Sequence, residues 1–267
     1  MSHISSLCNF YCARKGSGKT YDIGNQVEQL IDGNKTSQVY IFSSTAEIDP
    51  SWKRIIKMIK KADIPYEIYD GIYSRDMDER GREYKVNNLR NVLEDLLPKK
   101  EEKKGGSREK PPEEEYRFDP VRNVWIFRNS LVLPGNSFTP SIQGGVKQKK
   151  EKPKAVSPLF IFDDLSKREL RGVDLYNFIK KSRHYGQNGG VCYVYISSQF
   201  PLDISPEIWS NIDRLNIFRS FPDDYLKKIH SKTQLSIPYD DFIKQYKEKT
   251  AEQFSKMEID MRKDEIL

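Results

Sequence analysis

The stretch from Phe10 to Val27, FYCARKGSGKTYDIGNQV, constrains the fold most, because it sets a glycine and lysine cluster between an apolar run and a segment of helical spacing. A glycine-rich loop that leaves a strand and enters a helix turns successive backbone N–H groups toward one point, at the positive end of the helix dipole. Such a nest suits phosphate oxygens. The run Ala13, Arg14, Lys15, Gly16, Ser17, Gly18, Lys19, Thr20 matches the pattern G-x-x-x-x-G-K-[ST] except at its first position, where Ala13 replaces glycine. Alanine is admissible there if φ stays negative, since its methyl resists only the left-handed region. In this pattern Lys19 reaches the β and γ phosphates and the Thr20 hydroxyl ligates the metal, so ATP and Mg²⁺ are the expected cofactors.

The rest of the chain alternates. Ser6 to Ala13 and Ser37 to Ser44 read as strands on either side of a helix over Lys19 to Gly33. Asp49 and Pro50 open a second helix, YEIYDGI (66–72) reads as a strand, and EYKVNNLRNVLEDLL (83–97) as a further helix. Beyond residue 157, SPLFIFDDL, GGVCYVYISSQF and IDRLNIFRSF supply three more strands, with the amphipathic GVDLYNFIKKSRHYG between the first two. Continuous apolar strands alternating with helices predict a parallel sheet covered on both faces. The expected fold class is therefore α/β, a P-loop NTPase with a central parallel sheet flanked by helices, which resembles the RecA/ASCE-like type. The expected parts are residues 1–98 and 158–222 as two halves of one ATPase core, a charged and partly disordered insertion at 99–157, and a helical tail at 223–267.

Composition narrows the environment. Charged residues make up 31% of the chain and hydrophobic ones 37%, with a net charge of +6. Much of the charge is local: Leu96 to Pro120 and Gln143 to Pro158 are rich in Lys, Glu, Gly and Pro without apolar period, and read as disordered arms. Between them VRNVWIFRNSLVLPG suggests one or two short strands or a hairpin. The polar opening and the short apolar stretch behind it are not expected to act as a secretory signal, and no run approaches the ~20 apolar residues of a membrane span. Cys8, Cys12 and Cys192 are odd in number and lack metal-type spacing, which points to reduced, buried thiols inside a cell.

A metal needs more than Thr20. The run LFIFDDL ends a buried strand on two acids, and there Asp163 would hold Mg²⁺ through its water shell while Asp164 would orient or deprotonate an attacking water. A second acid after the metal ligand favours hydrolysis over transfer to a small acceptor. Gln199 closes the next strand, where an amide either touches the γ-phosphate and the attacking water or simply faces solvent.

The order of phosphate loop, paired acids, KKSRHYG before a strand, then SSQ and NIDRLNIFR resembles the genome-packaging ATPases of large double-stranded DNA viruses, virophages and related transposons. These are similar to the chromosome-pumping and hexameric DNA translocases of bacteria and archaea. The resemblance covers roughly Leu7 to Ser44 and Ser157 to Phe221. It departs at Ala13, at the charged insertion, and at Asp164, where many relatives carry the longer glutamate. The resemblance implies an ATP-driven motor that moves viral double-stranded DNA into a preformed capsid. It also implies a homo-oligomeric ring, contact with capsid portal or vertex proteins, no membrane, and a location in host cytoplasm or a viral factory, with association with the virion as a further option. In such rings one subunit lends an arginine to its neighbour's ATP. Arg183 is the first candidate, because it leaves a helix expected at the catalytic edge, with Arg214 and Arg219 next; a solvated face beside Lys180 and Lys181 is the alternative. His184 is expected to be structural or near DNA. Lysines of the arms either grip DNA phosphates without reading bases or only solvate the chain.

Three other readings stay open. A different DNA translocase or helicase would share every site residue, a small-molecule kinase would need an arginine-bearing lid that is not evident, and a nucleotide switch would not need Asp164 and Gln199.

Overall fold

The computed structural model describes residues 5–97, 116–119, 124–127 and 154–267. The chain divides into two units, Met1–Leu97 with Pro153–Leu267, and Pro98–Lys152. In chain order the first unit begins with β1 (Ser6–Cys12), α1 (Lys19–Asp32), β2 (Gln38–Phe42), α2 (Pro50–Lys61), β3 (Tyr66–Tyr69), β4 (Tyr73–Met77), β5 (Glu83–Asn87) and α3 (Asn88–Leu96). The second unit contributes β6 (Tyr116–Asp119) and β7 (Val124–Phe127), paired antiparallel. The first unit resumes with β8 (Pro158–Phe162), α4 (Lys167–Leu170), α5 (Val173–Lys181), a 3-10 turn at Ser182–His184, and β9 (Cys192–Ser198). It closes with α6 (Pro206–Trp209), β10 (Arg214–Phe218), α7 (Asp223–Thr233), α8 (Tyr239–Lys249), β11 (Lys256–Asp260) and β12 (Glu265–Ile266).

The main sheet has eight strands in the order β12-β11-β10-β1-β9-β8-β2-β3. From β10 to β3 every pairing is parallel. Those strands are built to be covered twice. On β1, Cys8, Phe10 and Cys12 point into one apolar cluster while Tyr11 belongs to the other, as a period of two requires. One face is closed by α1 and α2 through Ile23, Val27, Trp52, Ile55 and Ile59. The other is closed by α3, α5, α6, α7 and α8 through residues such as Leu89, Phe178, Ile208, Ile229 and Phe242. Each such fully buried aliphatic or aromatic side chain contributes about 1.5–3 kcal/mol. The Asp49 side chain accepts the Ser51 N–H at 2.7 Å and starts α2, as its position before Pro50 predicts.

Three expectations change. The parallel core is present, but the sheet is extended by β11 and β12, which run antiparallel. They come from the tail expected to be helical throughout: only Asp223–Thr233 and Tyr239–Lys249 of that tail are helix, and Met257 and Ile259, two apart, face the core on β11. The segment 83–97 is not one helix. Its first residues pair with β4 around a turn containing Gly81 at φ 71°, and helix begins only after Asn87, whose side chain caps the Arg90 N–H. The strand β6 lies within Leu96 to Pro120, a stretch expected to lack order, while β7 falls where a short strand was expected. The ends of the two arms are ordered as well, since Leu96 closes α3, Val156 exchanges backbone hydrogen bonds with Gln187, and Pro158 opens β8; the rest of the disorder expected of the arms concerns residues outside the described ones.

Candidate functional site

The phosphate loop spans the gap between the end of β1 and the start of α1. Its positive φ values fall on glycines, 78° at Gly16 and 90° at Gly18. Ala13 stays out of the left-handed region, is fully buried, and donates its N–H to the Ser198 carbonyl at 3.0 Å. That is the conformation in which a methyl costs nothing. Gly18 precedes α1 without any side-chain cap, so the first N–H groups of this fourteen-residue helix are left for an incoming anion.

The acids arrive from β8, two strands away, and β9 lies between. Asp163 continues the strand, with its N–H bonded to the Phe42 carbonyl at 3.0 Å, and its side chain has no exposure. Asp164 turns at φ 52°. Consecutive strand residues normally face opposite ways; the left-handed turn, which aspartate tolerates better than most residues, lets both carboxylates meet one cation. Lys19 Nζ lies 2.9 Å from Asp164 Oδ1 and 3.3 Å from Asp163 Oδ1. Burial works to lower the Lys19 pKa, and the two carboxylates outweigh it, so the ammonium is held above its ordinary value.

Thr20 donates to Asp163 Oδ2 at 3.4 Å. The two groups expected to share Mg²⁺ are therefore neighbours, and a hydroxyl beside a carboxylate is the hard-oxygen donor set that this ion takes while keeping most of its water. Among the described residues no cluster of three or more His, Cys, Asp or Glu side chains could hold a metal by itself. The uncapped helix start and the paired donors fit a magnesium nucleotide.

Sequence reasoning missed the side chains that hold these acids. Trp52 Nε1 on α2 donates to Asp163 Oδ2 at 3.1 Å, Ser197 on β9 donates to Asp163 Oδ1, and Thr45 donates to Asp164 Oδ2 at 3.5 Å. The serines and threonine that end IFSST and YISS were the available signal; for Trp52 the only hint was that a buried indole N–H needs an acceptor. Lys19 was expected to touch phosphate alone. Instead it also neutralises a buried carboxylate.

Gln199 follows β9 directly and is exposed. Cys12 pairs with Ser198, so Gln199 stands between the loop and the acidic strand, at the sheet edge that carries both. Arg183 does not. It sits on the 3-10 turn before β9 begins, close to the bridge between Gln187 and Val156 ahead of β8, which is the opposite edge of the parallel sheet. The reason is topological: a helix that follows one parallel strand returns to the start of the next. The expectation that Arg183 leaves its helix at the catalytic edge is thus corrected. There its Nε lies 3.4 Å from His184 Nε2. Arg214 opens β10 and is paired with Glu258 at 3.0 Å. Arg219, just past the end of β10, lines a depression of about 370 Å³ together with Arg14, Lys15, Gly16, Ser17, Ser220, Gln253 and Phe254. A larger depression of about 690 Å³ beside α7, lined by Lys227, Lys228 and Lys232, contains none of the candidate residues; the smaller one shares Arg14, Lys15, Gly16 and Ser17 with the phosphate loop.

A glycine loop on one strand, paired acids on another and a third strand between them define a phosphate-loop NTPase fold with a mostly parallel sheet. Among solved structures the chain is similar to the genome packaging NTPase B204 from Sulfolobus turreted icosahedral virus 2 in complex with sulfate, at 12% identity and a TM-score of 0.49, over 98% of this chain and 95% of that one. The same NTPase in complex with AMP gives 11% identity and a TM-score of 0.48, over 100% and 98%. In complex with ATP-gammaS it gives 13% and 0.47, over 100% and 97%. No protein-family model and no curated protein sequence matches the chain.

Proposed function

We propose that the chain is an ATP-hydrolysing motor that moves double-stranded DNA into a preformed viral capsid. The observation that carries the hydrolytic part is the meeting of Lys19, Thr20, Asp163 and Asp164 at the head of α1. In this reading the uncapped N–H groups and Lys19 bind the triphosphate, and Thr20 with Asp163 would hold Mg²⁺, which would supply positive charge against the phosphate oxygens. Asp164 accepts a proton from water as the water oxygen bonds to the γ-phosphorus and the bond from that phosphorus to the bridging oxygen breaks, releasing ADP and phosphate. Gln199 reports whether the γ-phosphate is present. Thr45, on Asp164 Oδ2, orients the base.

The DNA-moving part rests on the order of motifs, which resembles packaging ATPases, and on a net charge of +6 suited to a polyanion. A homo-oligomeric ring, capsid portal or vertex proteins as partners, and a site of action in host cytoplasm or a viral factory belong to the same proposal. Among the described residues no helix is long and apolar enough to cross a membrane. Arg183, on the far edge of its own sheet, is proposed to serve a neighbouring subunit's nucleotide, while Arg219 lines the depression beside its own loop. The test is steady-state ATP turnover with and without double-stranded DNA, across salt concentrations. A motor is stimulated by DNA, and the stimulation fades as salt rises. A kinase instead requires a small acceptor and ignores DNA.

A further inference from the structure

We infer that the depression beside the phosphate loop is a nucleobase subsite, in which the Phe254 ring stacks on a purine and the Arg219 guanidinium bounds the same space. The inference rests on the nucleotide reading above and adds to it the part of the nucleotide that a phosphate loop does not recognise.

Phe254 is an anomaly for a surface turn. It is 54% exposed, so burial does not explain an aromatic there. Its φ is 67°, a left-handed conformation that bulky side chains rarely adopt. Ser220, in the other segment that lines the depression, has φ 76°. Left-handed non-glycine residues from two separate segments thus border one opening, where such conformations gather at ligand sites.

The ring lies against the loop itself. A Cβ built on Gly18 would stand 2.9 Å from Phe254 Cδ1, so any side chain at Gly18 would displace the ring. Gly18 is also the last residue before α1, at the uncapped helix start. Arg14, Lys15, Gly16 and Ser17 complete that side of the depression. A nucleotide seated by its phosphates on Lys19 and the helix start therefore has its sugar and base beside an exposed aromatic face, in a space of about 370 Å³, within the size range of small-molecule sites.

Beside the cations Arg14, Lys15 and Arg219, the lining offers an exposed aromatic face, which a base can use and a phosphate cannot. Aromatic rings stack on nucleobases whatever the base, and a guanidinium plane adds a cation–π surface. Gln253 is the one neutral amide in the lining, able both to donate to and to accept from a base edge. Stacking on Phe254 grows with ring area, so purines are favoured over pyrimidines.

The experiment measures Mg²⁺-dependent binding of ATP and of inorganic triphosphate to the full chain by calorimetry, for wild type, Phe254→Ala, Phe254→Trp and Lys19→Ala. Phe254→Ala is expected to bind ATP on the order of tenfold more weakly and triphosphate as wild type does. Phe254→Trp should keep ATP affinity and gain an indole emission, over that of the wild-type tryptophans, that ATP quenches and triphosphate does not. Lys19→Ala should lose both ligands. Unchanged ATP affinity in Phe254→Ala, or an equal loss of ATP and triphosphate, overturns the subsite while the phosphate loop stands. Failure of wild type to bind triphosphate overturns the nucleotide reading itself, and the subsite with it.

Discussion

At the scale of residues, Lys19 carries two duties. It is placed for phosphate, and in the protein without ligand it is the cation within 3.3 Å of the fully buried Asp163. Removing one partner of a buried pair is costly, because the other charge stays behind without compensation. Lys19→Ala should therefore lose ATP binding and also lose about 3 kcal/mol of stability, read as a lower urea midpoint. A midpoint equal to wild type would mean that Asp163 finds another partner. The residues proposed to touch substrate were legible in the sequence as a loop and a pair of strand-end acids, and the fold brings Lys19, Thr20, Asp163 and Asp164 together. Trp52, Ser197 and Thr45 were not, since their role arises from distance in space: Trp52 lies 111 positions from Asp163 along the chain. Arg183 was misjudged for a related reason, as chain order alone does not say at which end of the sheet a helix finishes.

At the scale of elements, the parallel strands were legible because each is an apolar run of the right length bounded by turn residues. What failed was the reading of charged amphipathic stretches. EYKVN and KMEID mix polar with apolar residues and fit a helix wheel as well as a strand's alternation. Each becomes a strand because an edge is available: β5 pairs with β4, and β11 pairs with β10. The tail is consequently part of the core. Lys256 on β11 reaches Asp22 on α1 at 2.7 Å, and Met257 has no exposure. Met257→Ala should cost about 3 kcal/mol, as buried methionine truncations do, and be seen in the thermal midpoint. A loss within a few tenths of a kcal/mol would mean that β11 is a loosely held appendage.

At the scale of the whole molecule, one sheet buries all three thiols and carries the phosphate loop, the paired acids and Gln199 at one edge. Burial pushes the pKa of Cys8, Cys12 and Cys192 up, with Asp213 adding to the effect at Cys8 and Asp203 at Cys12. At neutral pH the thiols stay protonated and enclosed. They should react with a thiol reagent only as fast as the protein unfolds, at the same rate for all three; a thiol modified in the native state would contradict this packing. The central claim is that the acidic pair turns bound nucleotide into a hydrolytic cycle that DNA drives. The measurement that meets it most directly compares wild type with Asp164→Asn, following ATP binding and turnover on double-stranded DNA. The substitution keeps the size of the side chain, leaves Thr20 and Asp163 in place, and removes the group that accepts the water proton. Wild type is expected to hydrolyse faster with DNA, while Asp164→Asn binds Mg²⁺·ATP with wild-type affinity and turns it over roughly 100-fold more slowly or worse, the loss of a general base. Turnover by Asp164→Asn at the wild-type rate would contradict the account.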